Sequence, residues 1–114
     1  MKRLDFQIEH DGDVDFRLTG ELDLATADQL IQQLAPVVQQ GREIRVDVSG
    51  LTFIDSTGLH AIAGLGVRCL NGGQIVILDP SDEVTKVLDL VGADRFPNVV
   101  IRDGRAPKGP AAAA

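Results

Sequence analysis

The chain has 114 residues, a formal net charge of -6 and 44% hydrophobic residues, which fits one ordinary domain built on a single core. The acidic balance argues against nucleic acid as a ligand, because phosphate neutralisation dominates that affinity, and the absence of Trp and Tyr beside four Phe removes stacking platforms for bases or sugars. No run of eighteen apolar residues and no basic start leading into an apolar stretch occurs, so neither a membrane span nor export is expected and the chain reads as cytoplasmic.

Leu4, Phe6 and Ile8 alternate with polar residues, as do Val14, Phe16 and Leu18, with Asp11-Gly12 between the two runs. This pattern predicts a β-hairpin with one buried face. After Leu24, Thr26-Ala27-Asp28-Gln29 has capping-box spacing, and Ala27, Leu30, Ile31, Leu34 and Val38 recur at helical intervals. A first helix is therefore expected to run to about residue 40 and stop at Gly41. Pro36 lies inside it, and an internal proline removes a hydrogen bond and crowds the preceding turn, so a kink or short break is expected there.

Ile44, Val46 and Val48 alternate with Arg45 and Asp47, giving a third strand that buries mainly one face. A second helix over about residues 56–70 should end at Asn71-Gly72-Gly73, and the apolar run 74–78 reads as an interior parallel strand reached by a right-handed crossover. Pro80-Ser81-Asp82-Glu83 starts a third helix with a capping serine and an acidic first turn. This helix turns Val84, Val87, Leu88 and Val91 inward before Gly92, and residues 99–101 form a last strand. The order β-β-α-β-α-β-α-β is that of a single α/β domain over residues 1–103, with a mixed sheet of about five strands and helices mainly on one face. Residues 104–114, rich in Pro, Gly and Ala, read as a flexible tail.

Chemistry concentrates in residues 53–63, where an apolar, strand-like segment becomes a Gly-rich helix with Ser56 at the junction. The first amides of a helix lack intrahelical partners and carry the positive end of its dipole, so a phosphoryl group arriving there meets donors. His60 lies four residues on, on the same helical face, and raises a Ser56/His60 hydrolase. No Gly-x-Ser-x-Gly elbow accompanies it, and His60 also reads as an ordinary boundary residue. Gly64-Leu65-Gly66 and Asn71-Gly72-Gly73 neither follow a strand nor open a helix, and no Gly-Lys-Ser/Thr sequence occurs, so nucleotide binding is not indicated. Cys69, the only cysteine, forms no internal disulfide and has no neighbours at metal spacing, so no metal or cofactor is expected. Two readings of Ser56 stay open: a structural N-cap, with Asp55 or Ser56 as the capping acceptor, and a phosphorylation switch. The helix after it carries one apolar stripe through Leu59, Ile62, Ala63, Gly66 and Leu70 and another through Ala61, Leu65 and Cys69. The surplus is either a wide core contact or an exposed patch that meets a partner.

Thr19-Gly20-Glu21-Leu22-Asp23 closing the second strand, the run Val48-Ser49-Gly50-Leu51-Thr52-Phe53-Ile54-Asp55-Ser56-Thr57-Gly58-Leu59, and the helix beginning near Pro80 together resemble the anti-sigma factor antagonists, bacterial single-domain proteins of the STAS fold. The resemblance covers residues 4–101. It implies a partner switch. The unphosphorylated antagonist binds an anti-sigma factor that is also a serine kinase, and a sigma factor is freed. Phosphorylation by that kinase ends the binding, and a PP2C-type phosphatase restores it. By position the resemblance implies Ser56 as phosphoacceptor, with Asp23 beside it, Asp55 before it, and Thr57, Gly58, Leu59 and His60 as further candidates for the binding surface. It implies a substrate and ligand rather than an enzyme, with ATP and Mg²⁺ supplied by the kinase, in a monomer or weak dimer. A STAS adaptor of a stress-signalling assembly with another output is the alternative within the same fold.

Overall fold

The computed structural model describes residues 6–10, 12 and 14–103. Leu4 and Asp11 of the expected hairpin, and the tail from residue 104, lie outside them. Eight main elements follow in the expected order: β1 (Gln7–Glu9), β2 (Phe16–Leu22), α1 (Ala27–Val38), β3 (Glu43–Ile54), α2 (Ser56–Val67), β4 (Gln74–Leu78), α3 (Asp82–Val91) and β5 (Val99–Arg102), with a 3₁₀ turn at Ala93–Arg95 before β5.

The strands lie in chain order, β1-β2-β3-β4-β5, with β1 antiparallel to β2 and the other neighbours parallel. When sequential parallel strands are joined by crossovers of one hand, every connecting helix falls on the same side of the sheet. The core agrees. Leu30 and Leu34 of α1, Leu59, Ile62 and Leu65 of α2, and Val84 and Leu88 of α3 form one buried cluster with Phe16, Leu18, Ile44, Val46, Ile75, Ile77 and Val99, which share one face of the strands. The opposite face carries Arg17, Arg45, Asp47 and Arg102. Val76, in register between Arg45 and Val100 on that face, is buried yet stands outside the core cluster. Most of both apolar stripes of α2 is spent on the interior, where α2 packs against the sheet and beside α1: Leu59, Ala61, Ile62, Leu65, Gly66 and Cys69 are buried, whereas Ala63 is half-buried and Leu70 is exposed.

Local details depart from the sequence reading. The proline does not break α1, which runs uninterrupted through Pro36. Pro36 removes one amide-to-carbonyl bond of the helix without interrupting it. Thr26 precedes α1 but caps nothing, and no capping box forms. The second helix stops at Val67, three residues short of expectation, and Arg68 and Cys69 close it with tightened bonds to Leu65 and Gly66. Asn71 and Gly72, both at positive φ, form the following turn instead. The third strand is longer than its alternation indicates. It continues to Ile54, and two register shifts against β2 absorb the extra residues. The third helix begins and ends as expected: the Ser81 hydroxyl accepts from the Val84 amide, and Gly92 ends the helix in the left-handed conformation. Val84 and Leu88 are buried and Val87 packs against the core, but Val91, expected to face inward, is exposed in the last turn.

Candidate functional site

Because β2 and β3 are parallel neighbours, their C-terminal ends emerge side by side. Leu22 pairs with Ile54, and the Asp55 amide donates to the Leu22 carbonyl at 3.2 Å, so Asp23 and Asp55 each begin a turn at the same edge. The carboxyl ends of parallel strands are where open α/β sheets commonly place ligands.

The first turn is tied by its own polar groups. One Asp23 carboxylate oxygen accepts from the Ala25 amide at 3.0 Å. The Thr26 hydroxyl accepts from the Asp23 amide at 2.9 Å and donates to the Glu21 carbonyl at 2.8 Å, while the Thr26 and Ala27 amides both reach the Asp23 carbonyl. This is why Thr26 leaves the start of α1 uncapped: its hydroxyl is committed to the loop. At the apex Leu24 is 77% exposed.

The second turn shows which residue caps α2. Asp55 is the N-cap, extended at φ -114°, with its carboxylate accepting from the Gly58 amide at 3.0 Å and its carbonyl accepting from Leu59 at 2.9 Å. Asp55 thus supplies the cap that either residue type could have provided. Ser56 is the first helical residue and is exposed. Its hydroxyl bonds to no described residue, and the Ser56 and Thr57 amides find no acceptor among the described residues. These are the orphan donors that every helix start leaves.

Gly58 holds the two turns together. A β-carbon there would stand 2.7 Å from the Leu22 carbonyl oxygen, so only glycine lets the first turn of α2 rest on the end of β2. Gly58 and Leu59 are buried and support the turn from below; Thr57 is half-buried and His60 exposed. No hydrogen bond joins His60 to Ser56, and the Asp55 carboxylate faces the Gly58 amide.

Neither Asp23 nor Asp55 forms an ion pair with a described residue, so with exposed Glu21 the edge is acidic. The paired carboxylates lie elsewhere. On the open sheet face Arg17 meets Asp47 at 3.2 Å, and near the start of β2 Arg42 meets Asp15 at 3.0 Å. Burial opposes ionisation of Asp15, but the Arg45 amide and the Arg42 guanidinium outweigh it and hold the carboxyl below its ordinary value. Asp47 is held down in the same way, by Ser49 and Arg17 against burial. A cleft of about 610 Å³ on the open face, lined by Val14, Arg45, Asp47, Leu78, Asp79 and Arg102, takes in none of the motif residues. No group of three or more metal-ligating side chains occurs among the described residues, and no described helix is long and apolar enough to cross a membrane.

Sequence reasoning missed the exposed Leu24 and Phe53. The second register shift against β2 falls between Leu51 and Phe53. There Thr52 and Phe53 both face outward between buried Leu51 and Ile54, leaving Phe53 47% exposed. A bulge re-aims side chains in this way. The only trace in the sequence is a three-residue step between inward apolar positions.

Residues 6–103 match the STAS domain family. The anti-sigma F factor antagonist of Paenibacillus polymyxa is 34% identical over 96 residues, covering 78% of this chain and 81% of that protein. An anti-sigma-B factor antagonist of Staphylococcus epidermidis is 31% identical over 87 residues, with 75% and 81% covered. Among solved structures, the anti-sigma factor antagonist SpoIIAA in its unphosphorylated form superposes with a TM-score of 0.61 at 24% identity, covering 88% of this chain and 89% of that one. An anti-sigma factor antagonist from Mycobacterium paratuberculosis gives the same score and identity, with 84% of each chain covered. These two structures share the fold.

Proposed function

The chain belongs to the STAS domain family, and on that premise we propose that it is an anti-sigma factor antagonist switched at Ser56. Unphosphorylated, it binds an anti-sigma factor that is also a serine kinase and so releases a sigma factor in the cytoplasm; phosphorylated, it lets go. The observation that carries this reading is the division of labour at the turn. Asp55 caps α2, so the Ser56 hydroxyl has no structural bond to give up and stands exposed at the first helical position.

The chemistry asked of this chain is slight. The kinase brings ATP and Mg²⁺, its own base takes the hydroxyl proton, the serine oxygen attacks the γ-phosphorus, and ADP leaves. The chain need only present an accessible hydroxyl on a fixed backbone, and the cap and the Gly58 contact support that reading by holding the turn. It acts as substrate and ligand rather than enzyme. A Ser56/His60 hydrolase would need a base in hydrogen-bonding reach of the hydroxyl, and no such bond is present.

The phosphate then has two opposite effects. Toward its own chain it faces the free Ser56 and Thr57 amides at the positive helix end, so the fold tolerates it. Toward a partner it adds about two negative charges beside Asp23 and Asp55 and a group that is costly to desolvate in an interface. Removal by a PP2C-type phosphatase resets the switch. Mass spectrometry after incubation with an anti-sigma kinase and Mg-ATP tests this: one phosphoryl group on Ser56 is expected, and none on Ser56→Ala. Phosphate on another residue, with Ser56 unmodified, contradicts it.

A further inference from the structure

Six large apolar side chains are exposed among the described residues, and two of them, Leu24 and Phe53, lie at the strand edge that carries Ser56. Both are held outward by local structure. Leu24 tops a turn fixed by the Asp23 and Thr26 hydrogen bonds, and Phe53 is one of only four Phe in the chain, turned out by the bulge opposite Glu21. Apolar groups already fixed in place lose little freedom on binding, which is the property of an interface anchor.

We propose that Leu24 and Phe53 are the two apolar anchors of the kinase-docking surface, each filling an apolar pocket on the kinase, with cationic groups of the kinase around them facing Glu21, Asp23 and Asp55. The inference rests on the Ser56 switch and adds to it where the binding energy resides. Continuity selects the occupant, because the patch flanks the hydroxyl the kinase must reach: Asp23 lies between Leu22 and Leu24, and Phe53 is two residues before Asp55. Charge selects it as well. Two copies of this chain meeting through the patch would bring six carboxylates together without counter-charges, whereas an ATP-binding kinase offers cations. The same edge then serves both states: the anchors hold the unphosphorylated chain, and a phosphate added at the start of α2 spoils the desolvation that anchoring requires.

Calorimetric titration of the full chain with the kinase that phosphorylates Ser56, in the presence of ADP so that no transfer occurs, provides the test. Leu24→Ala and Phe53→Ala should each weaken binding about tenfold or more with unchanged melting temperature, Phe53→Leu should recover part of the loss, and Leu90→Ala, exposed on α3, should bind as the unaltered chain does. Raising the salt concentration should weaken all of them together. If both alanine variants bind like the unaltered chain while Ser56→Asp does not bind, the anchors are refuted and the switch stands. If Ser56→Asp binds unchanged, the switch itself fails and the anchors with it. Concentration-dependent dimerisation of the free chain, abolished by either alanine, would assign the patch to a second copy and overturn the proposal.

Discussion

Gly58→Ala is the substitution that most directly probes how α2 is seated. The added carbon would stand 2.7 Å from the Leu22 carbonyl oxygen, 2.8 Å from Leu22 Cγ and 3.0 Å from Ile54 Cγ1. The nearest atom is backbone of a strand whose Leu22 is fully buried, so it cannot rotate away. Overfilling such a contact costs about 1–3 kcal/mol, while alanine's higher helix propensity offsets at most about 1 kcal/mol of it. A net loss of about 1–2 kcal/mol lowers the melting midpoint of a domain this size by about 4–16 °C. Gly64→Ala is the internal reference. It lies in the same helix with nothing within 4 Å of the added carbon, so the propensity gain of about 0.5–1 kcal/mol should appear as stabilisation. Thermal and urea unfolding followed by circular dichroism read both. A Gly58→Ala protein melting at or above the unaltered one, or a Gly64→Ala protein falling as far, would refute the close-contact argument.

Asp55→Ala should destabilise by about 0.5–2 kcal/mol through loss of the helix cap, whereas Ser56→Ala should stay within about 0.5 kcal/mol of the unaltered chain; the reverse ranking in urea unfolding would return the capping role to the serine. Asp15 and Asp47 have folded-state pKa values below their ordinary values. Their contribution is therefore fully present above the unfolded pKa of about 3.9 and is lost as pH falls through the folded values. Stability should hold from neutral pH to about pH 5 and decline below about pH 4, and Asp15→Asn with Asp47→Asn should flatten that acid limb. An unchanged slope would contradict the assignment.

How much of this was legible in the sequence varied with whether the deciding interaction was local. Ser81 and Gly92 act at their own helix ends, and both were readable. Thr26 has the spacing of a cap, yet its hydroxyl is taken by Glu21 and Asp23, groups that only the folded loop brings to it. The end of α2 was misjudged because Asn71-Gly72 is a stop signal in any context, while the helix had already closed at Val67. Pro36 misled in the opposite sense, since the loss of one helical bond did not outweigh the packing of Leu30, Leu34 and Val38 that holds α1 together. At the site, Ser56 stood out for its place before a helix. The neighbourhood of Asp23 and Asp55 follows from parallel pairing of strands more than thirty residues apart, and it was anticipated through the family resemblance alone. Leu24 and Phe53 went unnoticed because exposure set by a turn apex and a bulge leaves almost no mark on hydropathy.

The central claim is that one phosphate on Ser56 separates this chain from its kinase without unfolding it. The most direct measurement compares the affinity of the stoichiometrically phosphorylated and unphosphorylated chain for that kinase, with melting curves taken on the same samples. The account predicts binding weakened by well over tenfold, about 2 kcal/mol or more, and a melting midpoint shifted by no more than about 4 °C, the equivalent of roughly 1 kcal/mol. Equal affinity of the two forms, or a loss of binding that merely accompanies unfolding, would contradict it.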